Sequence, residues 1–323
     1  MPEIIKESVN WITIDEHGAG QRIDNFLIKT LKGVPKSRIY RLVRSGELRV
    51  NSKRVGADYR LQEGDRLRIP PIRTAQPVTE KSGRTAGPVE ARLSGCVLYE
   101  DEALIVLAKP AGMAVHGGSG ISRGVVEQLR LERPEVKFLE LVHRLDKETS
   151  GVLLLAKKRS ALVGLHKLMR EGGADKRYLA LVKGAWRNDK QHVKLPLHKF
   201  LTESGERRVM VKEGGQASHT VFRLVKKWQD YSLLEAELKT GRTHQIRVHL
   251  AHLGFPIVGD DKYGDFALNK ELQKRGLKRM FLHAFRMAFP HPLTGKPMVL
   301  EASLPEDLTA FIGALGEPVK AAS

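Results

Sequence analysis

Long apolar runs are absent from this chain. No stretch approaches the roughly 20 consecutive apolar residues that a membrane-spanning helix needs. No apolar signal segment opens the sequence either. We therefore expect a soluble, cytoplasmic protein without a membrane partner.

Cysteine is nearly absent as well, since Cys96 is the only one. A lone cysteine excludes an intrachain disulfide and a thiolate zinc site. His244, His249 and His252 fall close together in the sequence, but no glutamate stands at the spacing of a metalloprotease helix. The sequence therefore predicts no metal site and no cofactor.

Acidic residues are too few to balance the basic ones. The 323 residues include 55 Lys and Arg against 37 Asp and Glu, which gives a net charge of +18 and a pI of about 10.0. Such an excess favours a polyanionic partner, because cationic side chains displace the counterions that surround a nucleic acid.

Half of this excess is concentrated near the N-terminus. Residues 20–73 contain 14 Lys and Arg against 5 Asp and Glu. Pro35 suits the first turn of a helix that ends at Gly46, and residues 39, 42 and 43 form its apolar side. Arg38, Arg41 and Arg44 then lie on the opposite side, where they can contact phosphates. With the strand-like residues 48–50 and 66–69, this unit resembles the S4 RNA-binding domain.

The composition divides the chain into four parts. We assign residues 1–20 to an N-terminal extension, 21–70 to the S4-like domain, 71–92 to a linker rich in Pro, Thr, Ser and Gly, and 93–323 to a catalytic domain. Short apolar runs in the last part do not alternate regularly with helices. The fold class is therefore α+β, built on a mixed, largely antiparallel sheet.

Four segments of the large domain carry the motifs. Residues 143–151 (HRLDKETSG) form a polar loop between two apolar runs, which would place the carboxylate of Asp146 at the rim of a rigid sheet. Residues 109–116, 176–184 and 241–260 follow a matching order. Together the four segments resemble the pseudouridine synthases, and most closely the branch that acts on large-subunit ribosomal RNA. The S4-like unit extends this resemblance to nearly the whole chain.

The resemblance implies a role for each matching residue. Asp146 is the catalytic residue, Arg247 pairs with it (with Arg242 as the fallback), and Tyr178 packs against the target base. Arg144 fills the space that the base leaves when it is extruded from its stack. The candidate RNA-binding residues are Lys36, Arg38, Arg41, Arg44, His143, Arg242 and His244.

The implied activity is isomerisation of uridine to pseudouridine in 23S ribosomal RNA or its assembly intermediates. No protein partner is implied. Asp146 could act as a nucleophile or remove a proton, and the sequence does not separate these routes. Three alternatives stay open: a non-catalytic RNA-binding assembly factor, a pseudouridine synthase for tRNA, and a metal-dependent nuclease. An intact set of Asp146, Tyr178 and Arg247 favours catalysis, because a pure RNA binder does not need a carboxylate facing a polyanion.

Overall fold

The computed structural model describes residues 8–16, 18–31, 34–72, 92–117, 123–203 and 205–319. The chain divides into two compact units, one before Arg92 and one from Arg92 onward. Of the predicted linker, only residues 71, 72 and 92 belong to the described residues.

The first unit is a small sheet covered by two helices. Its strands are β1 (Asn10–Thr13), β2 (Arg49–Val50) and β3 (Arg66–Ile69), and its helices are α1 (Ile23–Thr30) and α2 (Lys36–Ser45). β3 lies in the centre and pairs antiparallel with both other strands. The segment that we set apart as an N-terminal extension therefore contributes a strand to this sheet.

The predicted helix between Pro35 and Gly46 is confirmed. Pro35 precedes its first residue, and Gly46 ends it in the left-handed conformation, with φ of 74°. Ile39, Leu42 and Val43 are buried against the strands. The apolar side of α2 therefore packs on the sheet.

The second unit is built around one ten-stranded sheet. Its strands follow the order β4-β5-β7-β14-β8-β13-β12-β9, with β6 beside β7 and β15 beside β14, while β10 and β11 form a separate hairpin. The strands are β4 (Val97–Glu100), β5 (Leu104–Lys109), β6 (Glu140–Leu141), β7 (Ser150–Ala156), β8 (Asp175–Lys183), β9 (Lys190–Val193), β10 (Leu197–Leu201), β11 (Arg207–Val211), β12 (Thr220–Lys227), β13 (Tyr231–Leu238), β14 (Leu282–Pro290) and β15 (Pro297–Glu301). The helices are α3 (Val125–Glu132), α4 (Arg159–Arg170), α5 (Gln245–His252), α6 (Phe266–Lys274) and α7 (Glu306–Gly313).

The predicted fold class, α+β on a mixed and largely antiparallel sheet, is confirmed. Among the named strands of the large sheet, the β7–β14 pair is parallel and the other pairs are antiparallel. Every residue of β7 is buried. Leu153 and Leu155 belong to one hydrophobic cluster, and Val152 and Leu154 belong to another on the opposite face. The loop that precedes β7 is thus attached to a strand that is packed on both sides. Within the described residues, no helix has the length and apolar character to cross a bilayer.

The parallel contact between β7 and β14 is short and very close. It comprises the pairs Ser150 with His283 and Gly151 with Ala284. Gly151 has φ of 113°, and a Cβ at this position would lie 2.2 Å from the carbonyl oxygen of Ala284. A side chain here would force the two strands apart, directly behind the loop that contains Asp146.

We expect Gly151→Ala to lower the free energy of unfolding of the catalytic unit by about 3 kcal/mol or more, through backbone strain and overpacking. Gly172→Ala is the matched control, because Gly172 also has positive φ (77°) but a Cβ there meets nothing within 4 Å. That control should cost about 1 kcal/mol. Denaturant unfolding followed by the fluorescence of the buried Trp186 and Trp228 measures both. Equal losses in the two variants would show that the strand contact is not limiting.

Candidate active site

A cleft of about 770 Å³ lies where the loop before β7 meets the N-terminal end of α5. Its walls also include the ends of β8 and β13 and the last turns of α4. Four residues that the sequence singled out for chemistry line it together: Arg144, Asp146, Tyr178 and Arg247. His143, Arg242 and His244 line it as well.

Hydrogen bonds within the loop that carries Asp146, and from this loop to the segment that includes Lys109 and Gly112, hold it in place. The Asp146 carbonyl accepts a hydrogen bond from the Thr149 N–H at 3.1 Å. The next carbonyl, that of Lys147, accepts from the Gly112 N–H at 2.9 Å and from the Nζ of Lys109 at 3.1 Å. The Asp146 side chain itself remains 28% exposed, so a substrate can reach it.

Arg247 connects Asp146 to a buried carboxylate. Its Nη1 donates to Asp146 Oδ2 at 3.0 Å, while Nε and Nη2 donate to the two carboxylate oxygens of Asp260, each at 2.7 Å. Arg247 is 4% exposed and Asp260 is 1% exposed. Two of the three guanidinium nitrogens are thus committed to Asp260, and the third is directed at Asp146.

Arg247 and Asp260 each favour the charged form of the other. Burial alone would lower the pKa of Arg247, but hydrogen bonds and attraction from Asp260 and Asp146 raise it above its ordinary value. Burial alone would raise the pKa of Asp260, but Arg247 lowers it. Both groups are therefore ionised near neutral pH.

Arg242, the fallback partner, has a different environment. It is exposed, and its Nε donates to the carbonyl of Ala217 at 3.1 Å. Its backbone N–H donates to Gln245 Oε1 at 3.0 Å, which helps to shape the turn before α5. The structure therefore brings Arg247 into contact with Asp146 and leaves Arg242 at the rim.

Tyr178 and Arg144 differ in burial. The Tyr178 side chain on β8 is 7% exposed, and burial together with the nearby Asp146 charge raises its pKa, so the phenol stays protonated. Arg144 is exposed in the loop that holds Asp146. The lining of the cleft thus combines the carboxylate with a largely buried aromatic ring and an exposed guanidinium.

His143 is engaged in holding the loop. Its Nε2 accepts a hydrogen bond from the backbone N–H of Leu154 at 3.2 Å. Burial, with a smaller effect of Lys176, lowers the pKa of His143 to about 4. The ring is therefore neutral at physiological pH and ties the loop to β7.

His244 is oriented by a chain of hydrogen bonds. The N–H of Val209 donates to the hydroxyl oxygen of Tyr263 at 2.9 Å, and this hydroxyl lies 2.8 Å from Nδ1 of His244. When the Tyr263 hydroxyl donates its hydrogen to Nδ1 of His244, the ring hydrogen of His244 is on Nε2. This Nε2 lies 3.8 Å from Asp146 Oδ2. His244 also has a positive φ of 54°, a strained conformation for a residue with a side chain.

Sequence reasoning missed several cations at this site. His166 and Arg170 reach the cleft from α4, and Lys176 and Lys239 reach it from β8 and the end of β13. The helical spacing of the buried Ala161, Leu162 and Leu165 was a usable signal for α4, but not for which of its cations face the cleft.

Lys109 was also missed. It is 1% exposed, and its Nζ donates to the carbonyls of Pro110, Met113 and Lys147. Burial lowers the pKa of Lys109 to about 7. This side chain therefore joins the segment after β5 to the loop that contains Asp146. No sequence pattern distinguishes such a lysine from an exposed one.

The basic side of α2 belongs to the first unit. Lys36, Arg41 and Arg44 are exposed, and Arg38 is half-buried with an Nε that has no hydrogen-bond partner among the described residues. Arg41 and Arg44 lie opposite the buried Ile39, Leu42 and Val43.

We expect Arg247→Met to lower the free energy of unfolding by about 3–5 kcal/mol, because it leaves the buried Asp260 carboxylate without its partner. Arg242→Met removes an exposed guanidinium and should cost less than about 1 kcal/mol. Denaturant unfolding of the two variants measures the difference. A stable Arg247→Met protein would mean that the Arg247–Asp260 pair does not support the fold.

Two segments of the chain match known protein families. Residues 103–252 match the family described as RNA pseudouridylate synthase, and residues 21–67 match the S4 domain. Ribosomal large subunit pseudouridine synthase C of Pasteurella multocida is 49% identical over 319 residues, which cover 98% of this chain and 96% of that protein. The protein of the same name from Escherichia coli is 51% identical over 303 residues, or 93% and 95% of the two chains.

A solved structure shows the same fold. Human RNA pseudouridylate synthase domain containing 4 aligns with a TM-score of 0.56 at 24% identity, covering 69% of this chain and 94% of that one. The sequence identity, the matched segments and the shared fold together show that the chain belongs to the RNA pseudouridylate synthase family.

Proposed function

We propose that this protein isomerises uridines in large-subunit (23S) ribosomal RNA to pseudouridine, with Asp146 as the residue that acts on the target nucleotide. The observation that carries the proposal is the composition of the cleft. Among its described lining residues, Asp146 is the only carboxylate, against six Lys and Arg. The names of the relatives, which are about half identical over nearly their whole length, give the class of RNA.

The reaction needs an anionic carboxylate. The N1–C1′ bond of uridine breaks, the freed uracil rotates and C5 bonds to C1′; C5 then loses its proton and N1 gains one, without net oxidation or reduction. Asp146 acts either by bonding to the substrate or by taking the 2′ proton of the ribose. Both routes require the ionised form, and the hydrogen bond from Arg247 Nη1 stabilises it. The reaction itself needs neither a metal nor an organic cofactor.

The target base must leave its stack before it reaches Asp146, which costs a few kcal/mol. Tyr178 offers a ring surface for the extruded uracil, and stacking on an aromatic side chain contributes about 1–3 kcal/mol. The exposed Arg144, two residues before Asp146, is placed to occupy the vacated position in the RNA.

The remaining cations bind the RNA backbone. Arg170, Lys176, Lys239 and Arg242 line the cleft, and of these Lys239 is already paired with Glu237. Phosphate groups satisfy such side chains best, because two or more guanidinium and ammonium donors can share one phosphate. His143 and His244 contribute to this surface mainly by holding the loop and facing Asp146.

We expect Asp146→Asn to fold and bind RNA but to form pseudouridine about 10³-fold more slowly or worse, because the amide keeps the shape and loses the anion. Single-turnover reactions on a 23S ribosomal RNA fragment, with chemical mapping of pseudouridine, measure this rate.

Asp261→Asn is the matched control for that experiment. Asp261 also contacts Arg247 Nη2, at 3.4 Å, but it is 69% exposed. Its substitution should leave the rate within a few-fold of the original. Substantial turnover by Asp146→Asn would remove Asp146 from the catalytic role, whereas no turnover by the original chain would favour a non-catalytic RNA-binding protein.

We further propose that the two units divide the work, with the S4 domain supplying affinity for long RNA and residues 93–323 performing the chemistry. Replacing Arg38, Arg41 and Arg44 with Gln should weaken RNA binding and lower the salt-dependence slope by up to about 3, since each phosphate contact contributes about 0.9. Turnover at saturating RNA should persist.

The control for the change in net charge is the triple Gln variant of Lys270, Lys274 and Lys278, which are exposed on or next to α6. Binding titrations between low and physiological salt compare the two triple variants. An equal loss in both would mean that net charge, and not the side of α2, determines affinity.

A further inference from the structure

The sheet of the S4 domain has an outer surface that differs from its helical side. Ile12, Val50, Leu67 and Ile69 point inward to the core shared with α1 and α2. The alternate residues of the three strands therefore point outward. The members of this outer sheet face are Trp11, Thr13, Arg49, Arg66 and Arg68.

The strand register places these residues next to one another. Arg68 on the central β3 is paired with Trp11 on one side and with Arg49 on the other. With neighbouring strands about 4.8 Å apart, this row is about 10 Å long. Arg66 is paired with Thr13, and its guanidinium lies 5.2 Å from the centre of the Trp11 ring. The face thus combines three guanidinium groups with one indole.

Trp11 is an unusual residue to expose. It is 49% exposed, whereas the other two tryptophans, Trp186 and Trp228, are 1% and 5% exposed. A large aromatic side chain on a solvent-facing strand is more often a contact for a ligand than part of a core. Arg66 lies over its ring, and about half of the side chain remains exposed, which is enough for a base to contact the indole.

The charge of the outer sheet face selects its partner. Within the described residues, no carboxylate is paired with Arg49, Arg66 or Arg68. Arg49 and Arg68 donate to the backbone carbonyls of Gly46 and Glu47 instead. Three uncompensated cations attract a polyanion and repel a second copy of this chain, whose net charge is +18. An indole beside guanidinium groups matches an unpaired base beside its phosphates.

Resting on the proposed action on ribosomal RNA, we propose that the outer sheet face is a second RNA-binding surface, which takes a single-stranded segment with one base stacked on Trp11. The basic side of α2 lies on the other side of the same sheet, because α2 packs on the inward-pointing residues. The S4 domain therefore holds two separate RNA segments. Duplex RNA suits the outer sheet face poorly, since its bases are already stacked on each other.

Tryptophan fluorescence tests this directly, because Trp11 is the accessible tryptophan and the other two are buried. The full chain is titrated with an oligouridylate and with an RNA duplex of equal length. The single strand should quench the accessible emission, and the duplex should quench it much less. Trp11→Phe should abolish the quenching and keep most of the affinity, because phenylalanine also stacks.

Trp11→Ala should weaken binding of the single strand by about 5- to 100-fold and change binding of the duplex little. Phe266→Ala is the matched control, since Phe266 is another exposed aromatic residue (54%) on α6 of the catalytic unit. It should bind the single strand as the original chain does. Thermal unfolding confirms that both alanine variants are folded.

The proposal fails if Trp11→Ala binds the single strand with unchanged affinity, or if both RNAs quench equally. It also fails if Trp11→Ala changes the oligomeric state of the RNA-free protein, because the face would then be a protein contact. These readouts do not depend on turnover. A chain that binds through Trp11 but makes no pseudouridine would overturn the proposed function and leave this surface in place.

Discussion

The salt bridge between Arg247 and Asp260 is the interaction on which the site depends. Both groups are almost fully buried, and each would be costly to bury alone. Asp260 takes two of the guanidinium nitrogens and is itself held by the backbone N–H groups of Lys262 and Tyr263. Arg247 therefore has little freedom, and its third nitrogen has a fixed position. Asp146 accepts a hydrogen bond from this nitrogen, so the buried Arg247–Asp260 pair helps to fix the position of the Asp146 carboxylate.

The opposite side of the cleft is fixed by packing and backbone contacts. β7 is buried on both faces, and Gly151 lets it approach β14 more closely than any side chain would permit. Lys109 adds three hydrogen bonds from an ammonium group to carbonyls, one of them in the loop of Asp146. His143 adds another bond to Leu154. The exposed Asp146 thus stands on a rigid support, which is the arrangement that a preorganised reactive group requires.

Basic residues predominate on the surfaces that we propose to contact RNA. The cleft wall is cationic apart from Asp146, and the first unit adds cations on α2 and on the outer sheet face. Such surfaces attract a polyanion over a distance, while Arg247 donates a hydrogen bond to Asp146 at short range. The proposed RNA-binding surfaces and the proposed reactive site therefore use the same type of side chain at different degrees of burial: exposed arginines on the surfaces and a buried arginine beside the carboxylate.

The sequence by itself determined the main parts of this protein. The sequence predicted the motif around Asp146, the amphipathic α2 with its terminal glycine, and the apolar strands. These features depend on residues that are close together in the chain. The tertiary structure decided which groups meet. Arg247 and Asp146 are 101 positions apart, and although the sequence already favoured Arg247 over Arg242, only the structure shows that the buried Asp260 orients Arg247 toward Asp146. Four further features could not be predicted from the sequence: the hydrogen bond between His143 and Leu154, the burial of Lys109, the basic residues of α4 that line the cleft, and the exposure of Trp11. Each of these features depends on how strands that are distant in the sequence pair. Periodicity shows on which side of a helix or strand a residue lies, but not which residues it contacts.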